Sequence, residues 1–429
     1  MAATLPDGVT VELHKRETAA TGYWGHPGIC TITFCKGSPA TAFAALKTRL
    51  KAVVAANLWI AGQFVNKKLV YPKEAHLEVL DEILVKTKKP ISRSMEYKAL
   101  VKATGGDGML SVQSGGKVQK TGARVTRMCV VELEGSKDGE FALVFSMSHV
   151  AADGHNYYKI YNMLAGNAPV ESMTPARVHE YETREPEWTG KKDFAWLSGG
   201  GLIKGMLMGM LFGPKSSWCC YYVDESRVAD EKTKASTGGL QEVPYVSTND
   251  ILTSHFCKAA KARVGMMVVN FRNKISLELT DSHAGCYEGC LLLDPTNYET
   301  PQAVRKCLLG GVPYTRRTPS KKLPSLFGES CPMALITSWA SFPFELTLEG
   351  VDQQILHLPC MAMPDMMDVC IAFKPQPGRL GMLYLAKRAK PKALTDPKTT
   401  VLGQAVDSTI FPDSYVPMAP KTSGEIVRP

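Results

Sequence analysis

A chain of 429 residues exceeds what one ordinary hydrophobic core can hold, so two or more domains are expected. Its 45% hydrophobic and 21% charged content excludes a disordered chain and describes a soluble globular one. The net charge of +9 is dispersed. Its densest clusters are residues 86–89, residues 117–127, and Arg316-Arg317 with Lys321-Lys322; without a basic helix or an aromatic-basic motif they exclude the common nucleic-acid patterns. They read as solvated loops or as a rim that attracts a phosphorylated ligand.

Taken in order, residues 9–12 and 29–34 read as strands, and residues 40–56 as a helix with Phe43, Leu46, Leu50, Val53 and Val54 on one face. Residues 59–70 read as turn and strand, 77–85 as a helix, and the glycine-rich 105–116 as a loop without phosphate-cradle spacing. Residues 127–134 and 140–148 form a hairpin around Gly-Ser-Lys-Asp-Gly. Residues 169–192 read as a surface crossover. Ser247-Thr248-Asn249-Asp250 is a helix N-cap cluster opening a helix that runs to 263. A strand at 265–271, a helix at 300–309, strands at 334–339 and 355–358, a hairpin at 368–373 and 379–386, and a last helix at 393–406 follow; the tail beyond Pro412 reads as loop.

The 140–148 strand runs into Ser148-His149-Val-Ala-Ala-Asp153-Gly154. Strand side chains alternate, so His149 falls on the face of Phe141, Leu143, Phe145 and Met147, the buried one. A histidine ending a buried face is placed to act in a dry cavity, and its near-neutral titration suits a general base toward a hydroxyl or amine. Asp153 is placed to anchor the following loop, and Gly154 permits tight backbone geometry.

Twelve cysteines are scattered without a CxxC; Cys286, Cys290 and His283 are the nearest approach to a metal set, and structural thiols are the better reading, so no metal is expected. Scattered thiols suit a reducing compartment, and residues 1–17 lack the apolar core of a secretory leader, so a cytoplasmic location is expected. Residues 194–212, FAWLSGGGLIKGMLMGMLF, hold five glycines and Lys204, which argues against a spanning helix. They read as a buried inter-domain segment, or as a lid or membrane-surface patch feeding an apolar tunnel.

Four segments, in order, resemble the coenzyme A-dependent acyltransferases of the chloramphenicol acetyltransferase fold, with the plant BAHD enzymes nearest. They are His149 through Asp153-Gly154 (similar to HxxxDG), residues 246–263 (like the helix opening the second half), Asn270-Phe271-Arg272 (like NxR), and Thr337-Ser338-Trp339 with Phe342-Pro343-Phe344 (like the TSW segment). The likeness spans about residues 45–390. The family's DFGWG is replaced by Leu348-Glu349-Gly350-Val351-Asp352, so the resemblance leaves Arg272 to pair with Glu345 or Glu349. Its GN segment is replaced by Tyr287-Glu288-Gly289-Cys290.

The resemblance implies an α/β chain of two chloramphenicol acetyltransferase-like domains, mixed sheets covered by helices, with a tunnel between them. The corresponding boundaries are 1–190, a crossover at 191–242, and 243–429. It implies His149 as general base, direct attack of the acceptor on the thioester without an acyl-enzyme, and Trp339 as oxyanion donor. Asp153, Gly154 and Arg272 would support the site, with Asp153 holding the loop through an arginine. Thr337, Ser338, Ser247 and Thr248 would bind substrate. No resident cofactor is implied: acyl-CoA is a co-substrate, its nucleotide end suiting a basic rim, and a monomer of secondary metabolism is expected. The other readings are a wax ester or diacylglycerol-type lipid acyltransferase, favoured by residues 194–212, and a catalytically silent relative that binds an apolar ligand.

Overall fold

The computed structural model describes residues 8–19, 22–74, 76–105, 110–135, 139–237, 243–317, 322–325, 331–342, 344–363, 365–394, 396 and 400–414. Two large mixed sheets organise it. The first has the order Val351–Pro359, Ile29–Gly37, Glu140–Met147, Thr126–Leu133, Leu84–Lys89. All neighbours are antiparallel except the last pair. The second has the order Glu288–Leu293, Val264–Asn270, Met333–Ser338, Asp368–Gln376, Arg379–Ala386, Ser217–Val223, Leu402–Ala405. Its Val264–Asn270, Met333–Ser338 and Asp368–Gln376 strands run parallel. A small antiparallel sheet joins Val9–Val11, Lys68–Tyr71 and Gln63–Val65.

The first sheet is covered by the Pro39–Ala56 helix. Ser38 accepts from Thr41 N at 3.2 Å as the N-cap, and Pro39 fits the first turn, where its missing N–H costs nothing. Leu46, Leu50, Val53 and Val54 are buried, while Phe43 is half-buried. In the second sheet, alternation separates two faces. Met267, Val269, Ile336 and Cys370 enter the core beneath the Thr248–Ala259 helix. Met266, Val268, Leu335, Thr337, Val369 and Ile371 look the other way, into the space between the halves.

Several elements depart from the sequence reading. The helix at 77–85 ends at Ile83, and Leu84–Lys89 is a strand whose Lys86 and Lys88 point outward. The helix after Ser247 stops at Ala259. Residues 393–406 are not one helix: a single helical turn at Pro391–Leu394 is followed by the strand Leu402–Ala405, and residues 395 and 397–399 lie outside the described residues. The 169–192 stretch is not only surface. It contains the helix Glu180–Thr189, whose Tyr181 and Trp188 are buried with Phe271 and Tyr287. Of the glycine-rich stretch, residues 106–109 lie outside the described residues, and Gly115–Thr121 is helical.

The boundaries at 190 and 243 do not follow the sheets. Ser217–Val223, from the expected crossover, is a strand of the second sheet. Val351–Pro359, from the expected second domain, is an edge strand of the first. The two halves therefore exchange backbone hydrogen bonds, not only side-chain contacts.

Candidate active site

A cavity of about 520 Å3 lies between the halves. Tyr23, His26 and His149 line it from the first half; Glu288, Thr337 and Trp339 line it from the second. Much of the remaining wall is apolar, including Met206, Met266, Met361 and Met363.

His149 sits, half-buried, in the turn directly after the Glu140–Met147 strand, beyond the strand's own alternation. Its imidazole lies tilted by 30° against the Tyr23 ring, with centroids 4.4 Å apart, and its Nε2 is 3.7 Å from Glu288 Oε1. The Tyr23 hydroxyl donates to the same Glu288 oxygen at 3.0 Å. The carbonyl of His149 accepts from Cys286 Sγ at 2.9 Å. Burial, reinforced by the nearby Glu17 and Asp153 carboxylates, pushes the Cys286 thiol well up, so it stays a donor and not a nucleophile. The next two carbonyls, of Val150 and Ala151, accept from Arg177 Nη2 at 3.2 and 3.3 Å. Burial opposes the charge on Glu17, but Arg177, His14 and the bond from Cys286 N together hold the carboxyl below its usual range.

Asp153 points away from His149. One oxygen caps the Gly154–Ala165 helix by accepting from Asn156 N at 3.1 Å. The other accepts from Arg272 Nη1 at 2.7 Å and Tyr287 N at 3.1 Å. Burial works against its charge, yet the guanidinium keeps the carboxyl below the ordinary value. Arg272 is saturated by further bonds to Asn156 Oδ1 and to the His283 and Gly285 carbonyls. The expected partners Glu345 and Glu349 are not used. Asp153 is already inside the molecule and spans the two halves, so it supplies the compensation a buried arginine needs.

Gly154 lines the cavity, but its backbone is not left-handed, and a β-carbon there would meet Trp339 and Phe342 at an ordinary 3.6 Å. Trp339 is buried, its backbone N donates to Ala372 O at 2.7 Å, and its indole meets Tyr158 edge-on. Thr337 faces the cavity; Ser338, one residue on, takes the opposite face of the strand and does not line it. Ser247 and Thr248 do not line it either. The Ser247 hydroxyl is engaged as the N-cap of the Thr248–Ala259 helix, with Asp250 closing the capping box.

The sequence reading did not assign roles to Tyr23, Glu288, Arg16 or Glu185. Arg16 forks onto both Glu185 oxygens at 3.0 Å and also bonds the Glu288 carbonyl. The Glu288 segment had stood out as a replacement; Tyr23 lies in the aromatic, glycine-rich run 22–28, the only local signal it carried. The basic clusters are elsewhere. Arg124 pairs with Glu82, Arg316 with Asp193 and Lys86 with Glu132. Lys117, Lys120, Arg124 and Arg127 line a separate cavity of about 550 Å3. Lys321 lies outside the described residues.

No family model matches this chain, and no curated protein matches it by sequence. Solved structures do. TRI101 of F. sporotrichioides, crystallised with coenzyme A and T-2, superposes with a TM-score of 0.55 at 14% identity over 93% of this chain and 100% of that one. TRI101 of F. graminearum with coenzyme A and T-2 mycotoxin gives 0.57 at 14% identity, over 93% and 100%. The first condensation domain of the calcium-dependent antibiotic synthetase gives 0.52 at 13% identity, over 91% and 92%. At such identities the likeness is one of fold. The mixed sheets, the strand exchanged between halves and the central cavity thus make this chain a protein of the chloramphenicol acetyltransferase-like fold, shared by BAHD-type coenzyme A acyltransferases and condensation domains.

Proposed function

We propose that this protein transfers an acyl group from acyl-CoA to a hydroxyl or amine of a small-molecule acceptor, with His149 as general base. The observation that carries the reading is the His149 imidazole, held by Tyr23 and Glu288 inside a cavity walled by both halves. The TRI101 structures, crystallised with coenzyme A and T-2, support a co-substrate and acceptor of these kinds.

In this mechanism the acceptor oxygen or nitrogen loses its proton to His149 and bonds to the thioester carbonyl carbon. The tetrahedral oxyanion meets the indole N–H of Trp339, a donor with no acceptor role. The C–S bond then breaks, the carbonyl reforms, and His149 returns the proton to the thiolate, giving free CoA. Glu288 stabilises the imidazolium between these proton transfers, and the Tyr23 hydroxyl fixes the carboxylate that does so. Asp153 and Arg272 position the loop and touch no substrate. Thr337 stands on the wall where an acceptor would lie.

The test is release of free thiol from acyl-CoAs of increasing chain length, with mixed alcohol and amine acceptors. Wild type should release thiol only when an acceptor is present, and His149→Ala should lose about 10²–10⁴-fold in rate. A folded His149→Ala with wild-type turnover would sink the assignment.

A further inference from the structure

The Gly200–Phe212 helix shows solvent an apolar face that acyl transfer does not use. Its inward side is set by Gly205 and Gly209. A β-carbon on Gly205 would come within 2.8 Å of Met333 Sδ, and one on Gly209 would collide with the Met366 carbonyl. Only glycine lets the helix lie this close. The outward side carries Ile203, Leu207, Met210 and Leu211 and ends in Phe212; Leu211 is 65% and Phe212 75% exposed. The helix's one charge, Lys204, reaches the Ser325 carbonyl at 3.3 Å. Exposed Lys191 and Lys192 precede the patch and exposed Lys215 follows it, while Asp193 is buried against Arg316.

We infer that this face rests on an anionic lipid bilayer and that the acceptor is a lipophilic alcohol or amine drawn from it. An apolar face flanked at both ends by lysines matches acyl chains below and acidic headgroups around them. Thirteen residues give a helix of about 20 Å, short of a hydrocarbon core of about 30 Å; the helix before it, which would supply the missing length, is bent away by 43° and buries Asp193 and Trp196 in the protein, so this helix lies in the surface and does not cross. A second copy fits less well. In a two-fold pair this face meets itself, and whichever ends come together bring lysine against lysine.

The same helix is a wall of the cavity. Leu202 and Met206 line it, with Phe194 and Leu197 of the preceding helix. An acceptor leaving the bilayer passes along this wall to His149. The choice of acceptor rests on the acyl-transfer reading; the bilayer contact does not.

The experiment compares wild type, the triple variant Leu207→Gln/Leu211→Gln/Phe212→Gln, and His149→Ala. Sedimentation with phosphatidylcholine vesicles, with and without phosphatidylserine, reads binding. Thiol release with butanol, and with octadecanol carried in the vesicles, reads turnover. Wild type and His149→Ala should sediment with the phosphatidylserine vesicles, and the triple variant should bind about tenfold less. The triple variant should keep butanol turnover and lose that of octadecanol. Wild type that stays in the supernatant with both vesicles overturns the bilayer contact, whatever its activity. A triple variant as fast as wild type on vesicle-borne octadecanol overturns the delivery route. Vesicle binding without thiol release from any acceptor sinks the acyl-transfer reading and leaves the bilayer contact standing.

Discussion

His149 has three neighbours that sequence distance hides: Tyr23, Cys286 and Glu288 lie 126, 137 and 139 positions away. Each acts on a different part of the residue: Tyr23 on the ring face, Cys286 on the backbone carbonyl, and Glu288 on Nε2. Glu288 is a positioning residue in the proposed reaction, because it faces the nitrogen that carries the proton. Glu288→Gln keeps the shape and the acceptor for the Tyr23 hydroxyl but removes the charge. It should lower kcat about tenfold, equivalent to about 1.4 kcal/mol of charge stabilisation of the imidazolium, with little change in KM for the acceptor. A rise in KM at constant kcat would instead make Glu288 a binding residue. Asp153 and Arg272 belong to another class. Deleting one partner of such a buried pair typically costs about 3–5 kcal/mol, because the other charge is left without compensation.

Among the elements, the Val351–Pro359 strand has the largest consequence. It carries chain from the second half into the first sheet and brings His357 with it. That ring is fully buried, with Nδ1 2.8 Å from Thr33 Oγ1 and Nε2 3.0 Å from the Tyr158 hydroxyl. Burial lowers its pKa to about 3. The native ring is therefore neutral where the unfolded one, titrating near 6.5, takes a proton. Its contribution to stability is complete above about pH 6.5 and is lost as the pH falls toward 3, at about 1.4 kcal/mol per pH unit. His357→Gln should be less stable near neutrality and should lack this part of the acid slope, measured by urea unfolding at stepped pH. An unchanged slope in the variant would place the acid sensitivity in other groups.

At the scale of the whole molecule, the strand exchange makes the halves interdependent. A fragment of residues 1–242 lacks Val351–Pro359 and so exposes the Ile29–Gly37 edge. It also lacks Cys286, Tyr287 and Arg272, which hold the loop after His149. Expressed alone, it should aggregate, since an open apolar edge is a template for pairing. Size-exclusion chromatography decides this, and a monomeric, cooperatively melting fragment would show that the exchanged strand is dispensable.

Local periodicity sufficed for much of this protein. The hairpin that delivers His149, the Ser247 cap and the helix over 40–56 each depend on residues within a turn or two of one another, and each formed as read. The order of four motifs also revealed the fold, because topology preserves order when identity has faded to 14%. What lay beyond the sequence shares one physical cause. The partner of Arg272, the orientation of Ser338, the carboxylate facing His149 and the split at 393–406 are decided by which distant strands pair. A pattern read a few residues at a time records the demand of a buried charge for compensation, but only the folded chain decides which group meets it.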